Sequence, residues 1–458
     1  MYQTLSRSGE DVSHYAIGRF GDTRLARVGA LLFKRLSEKL TISIRTLGGN
    51  RATEVAFNRF LENKKTRVDT IVNELAKKTN EACRGKNHVL CLQDTVQLTY
   101  PSQSIKKDCF GPTGDSETQG LFVHPGIIVD ASERDVLGVS NVITWCRDEA
   151  GATEQEKPKT IEEKESIRWV DTAINTRENI TNPDMITVVG DRESDIFEVF
   201  ERVADERTKL LVRASHDRVL DGGEKISSCL AQIEPAGEYE IELPRITGQR
   251  KSRAAILEIK HIPISIQKAG YEEPVDVYCV YAHEISAVPK GETPISWVLL
   301  TTHSVTSLKK AIQILKWYTW RWIIEQIFRT MKNKGLKIED SQIEEPKKLQ
   351  ILSVLSIATA IKVMTLVESR DGKNNRAATD LFTKEEVALL FLMCKKLEGR
   401  TQKQKNHYKK NTMGWAAWVI ARLGGWNGYS SESPPGPCVM LRGLQKFELQ
   451  YEGWLLAQ

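Results

Sequence analysis

The chain has 458 residues, 40% of them hydrophobic and 27% charged, which excludes a disordered or fibrous protein and fits a soluble globular one. That length exceeds a typical single domain and leaves room for two to four units with ample core. The net charge of +5 is uneven: residues 1–70 hold 13 Lys or Arg against 7 Asp or Glu, so an anionic partner is expected there.

The predicted elements begin with a helical module over residues 20–65. Asp22 can cap a helix running to about Leu40, because a carboxylate before the first turn satisfies free N–H groups and suits the helix dipole. Leu25, Val28, Leu32, Leu36 and Leu40 share one arc of it, and Arg24, Arg27, Lys34 and Arg35 the opposite one. A second helix, from Thr53 to Glu62, adds Arg59, with Arg51 just before it. A solvated face would look the same, but two adjacent basic helices in a basic segment favour DNA binding.

From residue 88 the pattern turns α/β. HVLCLQDTVQLTY, GLFVHPGIIVD and DVLGVSNVITWC read as three successive strands, most simply an antiparallel meander. A helix from Glu165 to Ile180, the strand MITVVG ending at Asp191, a helix from Ser194 to about Ala204 and the strand KLLVRAS follow. Strands, helix, strand, helix, strand is the order of an RNase H-like core, a mixed sheet flanked by helices. Residues 217–303 then read as an inserted antiparallel β-subdomain, with Arg245, Arg250, Lys251 and Arg253 around one turn.

Next comes WYTWRWIIEQIFRTMK. At about 100° per residue, Tyr318, Arg321, Glu325 and Lys332 fall at roughly 0°, 300°, 340° and 320°, so a single helix would carry all four on one stripe. Leu349 to Val367 is about long enough to span a membrane, but Gln350, Lys362 and several hydroxyls interrupt it, and a buried core helix is expected. Residues 395–411 read as a linker or exposed loop, and the remainder as a C-terminal helical subdomain around a Pro/Gly break at Ser433 to Pro437. The eight cysteines are scattered without zinc spacing, consistent with buried, reduced thiols in a cytoplasmic protein. The first twenty residues lack the charged and apolar runs of a signal peptide.

Three carboxylates carry the chemical reading. Asp94 interrupts an apolar strand, Asp191 ends another, and Glu325 lies on the stripe. Each has a plain alternative: an exposed edge position, a helix cap (by Asp191 or Ser194), and an i, i+4 pair with Arg321. Together they match the three acids that an RNase H-like fold converges on one point. Hard oxygen donors without His or Cys suit Mg²⁺ or Mn²⁺, and two such ions can activate a nucleophile and stabilise a leaving oxygen.

Gln93-Asp94-Thr95, GDRESD around Asp191, and the spacing Y-x2-R-x3-E-x6-K over Tyr318, Arg321, Glu325 and Lys332 resemble bacterial cut-and-paste DDE transposases. The family is the insertion-sequence-four family, and the subgroup that of the Tn-five transposase. EKESIRWV (163–170), KGETPISWVLLT (290–301) and IARLGG (420–425) agree, and the resemblance covers nearly the whole chain. It implies that Asp94, Asp191 and Glu325 are the catalytic, metal-binding triad for two Mg²⁺ or Mn²⁺ ions. It implies further that Tyr318, Arg321 and Lys332 hold phosphates of the transposon end, and that Trp297 stacks on a base flipped from the duplex, though a core Trp at a strand start fits too. Arg24 and Arg27 match basic residues that read the inverted repeats. Ser194, Gln326 and Arg329 are mild departures that leave the triad intact.

The implied architecture is a helical DNA-binding domain (1–70), a catalytic domain (71–370) with the β-insertion, and a C-terminal helical domain (371–458) for dimerisation. The implied partners are terminal inverted repeats, target DNA and a second copy of the chain in a synaptic complex, with no membrane and no nucleotide cofactor. Hydrolysis frees a 3′-hydroxyl, which attacks the opposite strand to form a hairpin; the reopened end then joins target DNA. An RNase H-like nuclease or resolvase without strand transfer, or an inactive transposase-derived regulator, would share much of this pattern.

Overall fold

The computed structural model describes residues 12–100, 110–113, 118–147, 160–243, 252–332, 335–373, 376–429 and 432–457. Cys109, Arg245, Arg250 and Lys251 lie outside them. The chain opens with four helices: α1 (Thr23–Lys39), α2 (Ile44–Gly48), α3 (Arg51–Glu62) and α4 (Val68–Ala82). Strands β1 (His88–Gln93), β2 (Val96–Tyr100), β3 (Gly111–Pro112), β4 (Gln119–Asp130) and β5 (Val136–Trp145) follow. Helices and strands then alternate through α5 (Ile167–Asn179), β6 (Met185–Gly190), α6 (Phe197–Val203), β7 (Thr208–Arg213) and α7 (Ile226–Ala231). Four strands succeed them: β8 (Gly237–Leu243), β9 (Arg253–Ile266), β10 (Val275–Glu284) and β11 (Ser296–Thr301). The chain ends in helices α8 (Leu308–Trp320), α9 (Trp322–Met331), α10 (Pro346–Ser369), α11 (Lys384–Leu397), α12 (Met413–Leu423) and α13 (Pro437–Leu456).

Two compact units result, one of residues 1–84, 95–155 and 323–458 and the other of residues 85–94 and 156–322. In the first unit β4 pairs antiparallel with β2, β3 and β5. Helix α10 is its centre and packs on α1, α3, α4, α12, α13 and β5. This is the apolar segment long enough to cross a bilayer, and most of it is buried inside the unit. Several of its hydroxyls bond locally, Ser353 donating to the Leu349 carbonyl at 2.6 Å and Thr359 to Leu355 at 3.0 Å, while the buried Ser356 hydroxyl has no partner among the described residues. Thr79 ties α4 to β5, accepting from the Val139 N–H at 2.9 Å. Only a glycine fits next to it, because a Cβ at Gly138 would stand 2.2 Å from the Thr79 hydroxyl.

In the second unit β1, β6 and β7 are parallel, and the sheet continues through β11, β10, β9 and β8, all antiparallel. The antiparallel strands β8–β11, which lie in the segment read as an inserted β-subdomain, therefore extend the β6–β7 sheet. Helix α5 packs on β1, α6 on β7, and α8 on β9 and β10.

Several local expectations are corrected. HVLCLQDTVQLTY is two strands, not one, broken at Asp94 and Thr95. The stripe helix is also two: α8 ends at Trp320, Arg321 occupies the joint, and Lys332 lies one residue beyond α9. Of the two readings of residues 395–411 the exposed loop is the one found, after α11 ends at Leu397, and it is tied down by the Tyr408 hydroxyl donating to the Arg370 carbonyl at 2.7 Å and the Asn406 amide to the Trp415 carbonyl at 3.0 Å. Of the cysteines, 83, 91, 279 and 394 are buried, 146 and 229 half-buried, and Cys438 exposed.

Candidate active site and nucleic-acid interface

Asp94 and Asp191 follow neighbouring parallel strands. The register pairs Leu92 of β1 with Val189 of β6, so each aspartate lies two residues past the same rung, at the carboxyl ends. With strands about 4.8 Å apart, the two acids leave the sheet level with each other. Asp191 caps the short 3-10 turn Arg192–Ser194, its Oδ1 accepting from the Glu193 N–H at 2.9 Å. The capping alternative read from sequence is thus realised, and it uses one carboxylate oxygen. Gly190 makes the turn possible, because a Cβ there would stand 2.2 Å from the Ser194 hydroxyl.

The rest of GDRESD is scaffolding. Asp195 is fully buried, takes the Arg218 guanidinium through two nitrogens at 3.0 and 2.6 Å, and accepts from the Ser215 N–H at 2.7 Å. Glu193 binds Arg168 at 2.6 Å, so GDRESD and EKESIRWV meet. In KGETPISWVLLT, Glu292 binds Arg253 at 2.9 Å, and Arg253 also pairs with buried Glu284.

Arg321 follows α8 as its C-cap residue. Its Nη1 donates to Asp94 Oδ2 at 2.7 Å, with side chains 11% and 19% exposed. Tyr318 is buried and meets buried Trp297 edge-to-face, with ring centroids 5.4 Å apart. In the first unit, Lys332 donates to the Gln97 carbonyl at 2.9 Å and pairs with Glu339 at 2.9 Å, while Glu339 accepts from the Thr99 N–H. Glu325 is half-buried on α9, also in the first unit.

On α1, Arg24 and Arg27 are exposed, and Asp22 caps the helix as expected, accepting from the Arg24 and Leu25 N–H groups at 2.8 and 3.2 Å. The cationic ridge is shorter than the spacing suggested: Lys34 pairs with Glu38 at 2.9 Å and Arg35 with Glu452 at 3.6 Å. On α3, Arg59 is exposed and Arg51 pairs with Glu54 at 3.0 Å.

Two features had no signal in the spacing. Thr187 stands between His88 and His303, at 2.8 and 2.7 Å, with the Trp317 ring against both imidazoles. Burial, and then His88 beside it, pull the His303 imidazole down to about 3, so it is neutral at pH 7. Beside Asp191, a cavity of about 570 Å³ is lined by Arg192, Arg213, His216, Lys260 and Tyr281. Arg213 and Lys260 donate to backbone carbonyls of Ser296 and Leu230, and Asp217 adds a carboxylate to the lining. The pairing of β7 with β11 that assembles this cavity is invisible to local pattern.

Among the described residues, no group of three His, Cys, Asp or Glu side chains is placed to hold one ion. Asp94 and Asp191 by themselves offer an all-oxygen donor pair at one sheet edge, which fits a hard cation that keeps several waters.

The chain bears a likeness to the cryo-EM structure of a piggyBac transposase synaptic complex with hairpin DNA, at 10% identity and a TM-score of 0.37. It covers 83% of this chain and 73% of that one, and is too slight to assign a fold. Residues 162–361 match the family model of the transposase DDE domain, a span that contains Asp191, Trp297, Tyr318, Arg321, Glu325 and Lys332 and leaves Asp94, Arg24 and Arg27 outside.

Proposed function

We propose that this chain is a cut-and-paste DDE transposase of the insertion-sequence-four family, in the Tn-five subgroup, with an RNase H-like catalytic core. The observation that carries the reading is the level placement of Asp94 and Asp191 at the ends of β1 and β6, joined with the DDE-domain match over residues 162–361. Asp94, Asp191 and Glu325 would hold Mg²⁺ or Mn²⁺, which supplies a polarised phosphodiester and an activated water or 3′-hydroxyl.

The remaining residues bind and orient. Tyr318, Arg321 and Lys332 hold phosphates of the transposon end, and Arg321 and Lys332 counter charge at the reacting phosphorus. Trp297 stacks on a base flipped from the duplex during hairpin formation. Arg24 and Arg27, exposed on α1, contact the terminal inverted repeats within a recognition domain of residues 1–70. Residues 371–458 pair two protomers in a synaptic complex. The protein acts on DNA in the bacterial cytoplasm.

The test is a linear DNA fragment ending in the inverted repeats that flank the gene, incubated with protein and Mg²⁺. Hairpin ends and strand-joined products are expected. Simple cuts without joining would instead identify a nuclease, and binding without cuts a regulator. Glu325→Ala is expected to abolish cleavage while retaining end binding; undiminished cleavage would sink the triad.

A further inference from the structure

Arg321 and a divalent cation have a claim on the same carboxylate. The guanidinium donates to Asp94 Oδ2 at 2.7 Å, and the pair is largely shielded from water. A hard cation held by Asp94 would share that carboxylate with the guanidinium, and the two positive charges on one poorly exposed group would repel.

We propose that Arg321 is a displaceable counter-cation for Asp94. Metal entry releases the guanidinium, and a DNA phosphate that takes up the guanidinium frees Asp94 for the metal. Metal and DNA then raise each other's affinity through one shared side chain, since coupling between two ligands is reciprocal. The inference rests on reading Asp94 as a metal ligand.

Three observations support the exchange. A guanidinium fork grips carboxylate and phosphate with the same paired geometry, so the swap needs no new chemistry. Arg321 occupies the joint between α8 and α9, with φ −53° and ψ −28°, so helical backbone continues through it and a rotamer change suffices to move the charge. Tyr318, one turn earlier, is buried edge-to-face against Trp297, so its own ring does not have to follow the arginine side chain.

The experiment is Mn²⁺ binding to the full-length protein, followed by electron paramagnetic resonance of the free ion, with and without a duplex oligonucleotide of the gene's flanking sequence. Phosphates can also ligate the metal, so the comparison among variants is the readout. Arg321→Gln is expected to bind Mn²⁺ about tenfold tighter than wild type without DNA, and to gain less from the duplex. Arg321→Lys keeps the charge but loses the fork; it is expected to lie between the two, and carries the test should Arg321→Gln fail to fold. Asp94→Asn is expected to weaken Mn²⁺ binding. Equal or weaker Mn²⁺ binding by the folded Arg321 variants overturns the proposal. Cleavage by wild type without this linkage would remove the counter-cation role and leave the transposase reading. Linkage without any cleavage or joining would do the reverse.

Discussion

Two poorly exposed cations meet their carboxylates in different ways. Arg321, in the second unit, has a directional bond to Asp94 at 2.7 Å. Lys362, on α10 in the first unit, stands 3.9 Å from Glu448 of α13, both side chains 8% exposed. Neither the Lys362 amine nor Glu448 Oε1 has a hydrogen-bond partner among the described residues. Burial pushes the Glu448 carboxyl up to about 8. The acidic side chains around it, Glu448, Glu386 and Glu38 among them, raise the Lys362 amine above its ordinary value against the pull of its own burial. A charge engaged through a directional hydrogen bond can be handed to a ligand. A charge held by the summed field of α1, α11 and α13 can only hold those helices together.

The comparison breaks most visibly at Asp191. Asp191→Asn keeps a capping oxygen for the Glu193 N–H but loses the charge, so DNA cleavage should fall by about 10³-fold or more while stability stays within about 0.5 kcal/mol of wild type. Cutting at the wild-type rate would remove the second carboxylate from the chemistry.

Lys362→Met should behave in the opposite way. Removing the cation leaves buried carboxylates uncompensated, and urea unfolding should show a loss of about 3 kcal/mol, partly restored by adding Glu448→Gln. An unchanged urea midpoint would mean that the cluster holds nothing together. A smaller loss, about 1–3 kcal/mol, is expected for Gly190→Ala, because the added methyl must displace the Ser194 hydroxyl under the turn that carries Asp191.

A further prediction separates the two units by pH. The folded His303 imidazole takes its proton well below the ordinary range, at about 3. The unfolded chain therefore binds more protons between pH 6.5 and 3, and stability falls as pH falls, at no more than about 1.4 kcal/mol per pH unit from this group. Glu448 is the mirror case: its folded value of about 8 lies above the unfolded one, so its contribution is full in acid and lost as pH rises toward 8. Unfolding midpoints of His303→Gln and Glu448→Gln across pH 4 to 9 should flatten opposite limbs of the curve.

Much of this was legible in sequence where the cause is local. Asp22 caps α1 because its own carboxylate reaches the next two N–H groups, and β4 to β7 follow their β-branched runs. Distant partners were not legible. Asp94 ends β1 and is held by Arg321, while Lys332 is held by Gln97 and Glu339, and no spacing rule names such partners. The helix break at Arg321 was missed for a similar reason: the residue keeps helical dihedral angles, so neither glycine nor proline marks the joint. The carboxylates themselves were found because a charged residue in or ending an apolar strand is locally anomalous.

The rung shared by Leu92 and Val189 has a consequence for tracing relatives. Parallel strands lock Asp94 and Asp191 side by side whatever the length of chain that joins them, so insertions between β2 and α5 leave the pair untouched. A single residue added within β1 or β6 would instead turn one acid to the opposite face of the sheet. The diagnostic quantity for homologues is therefore the count from each strand's apolar run to its aspartate, not the distance between the two aspartates.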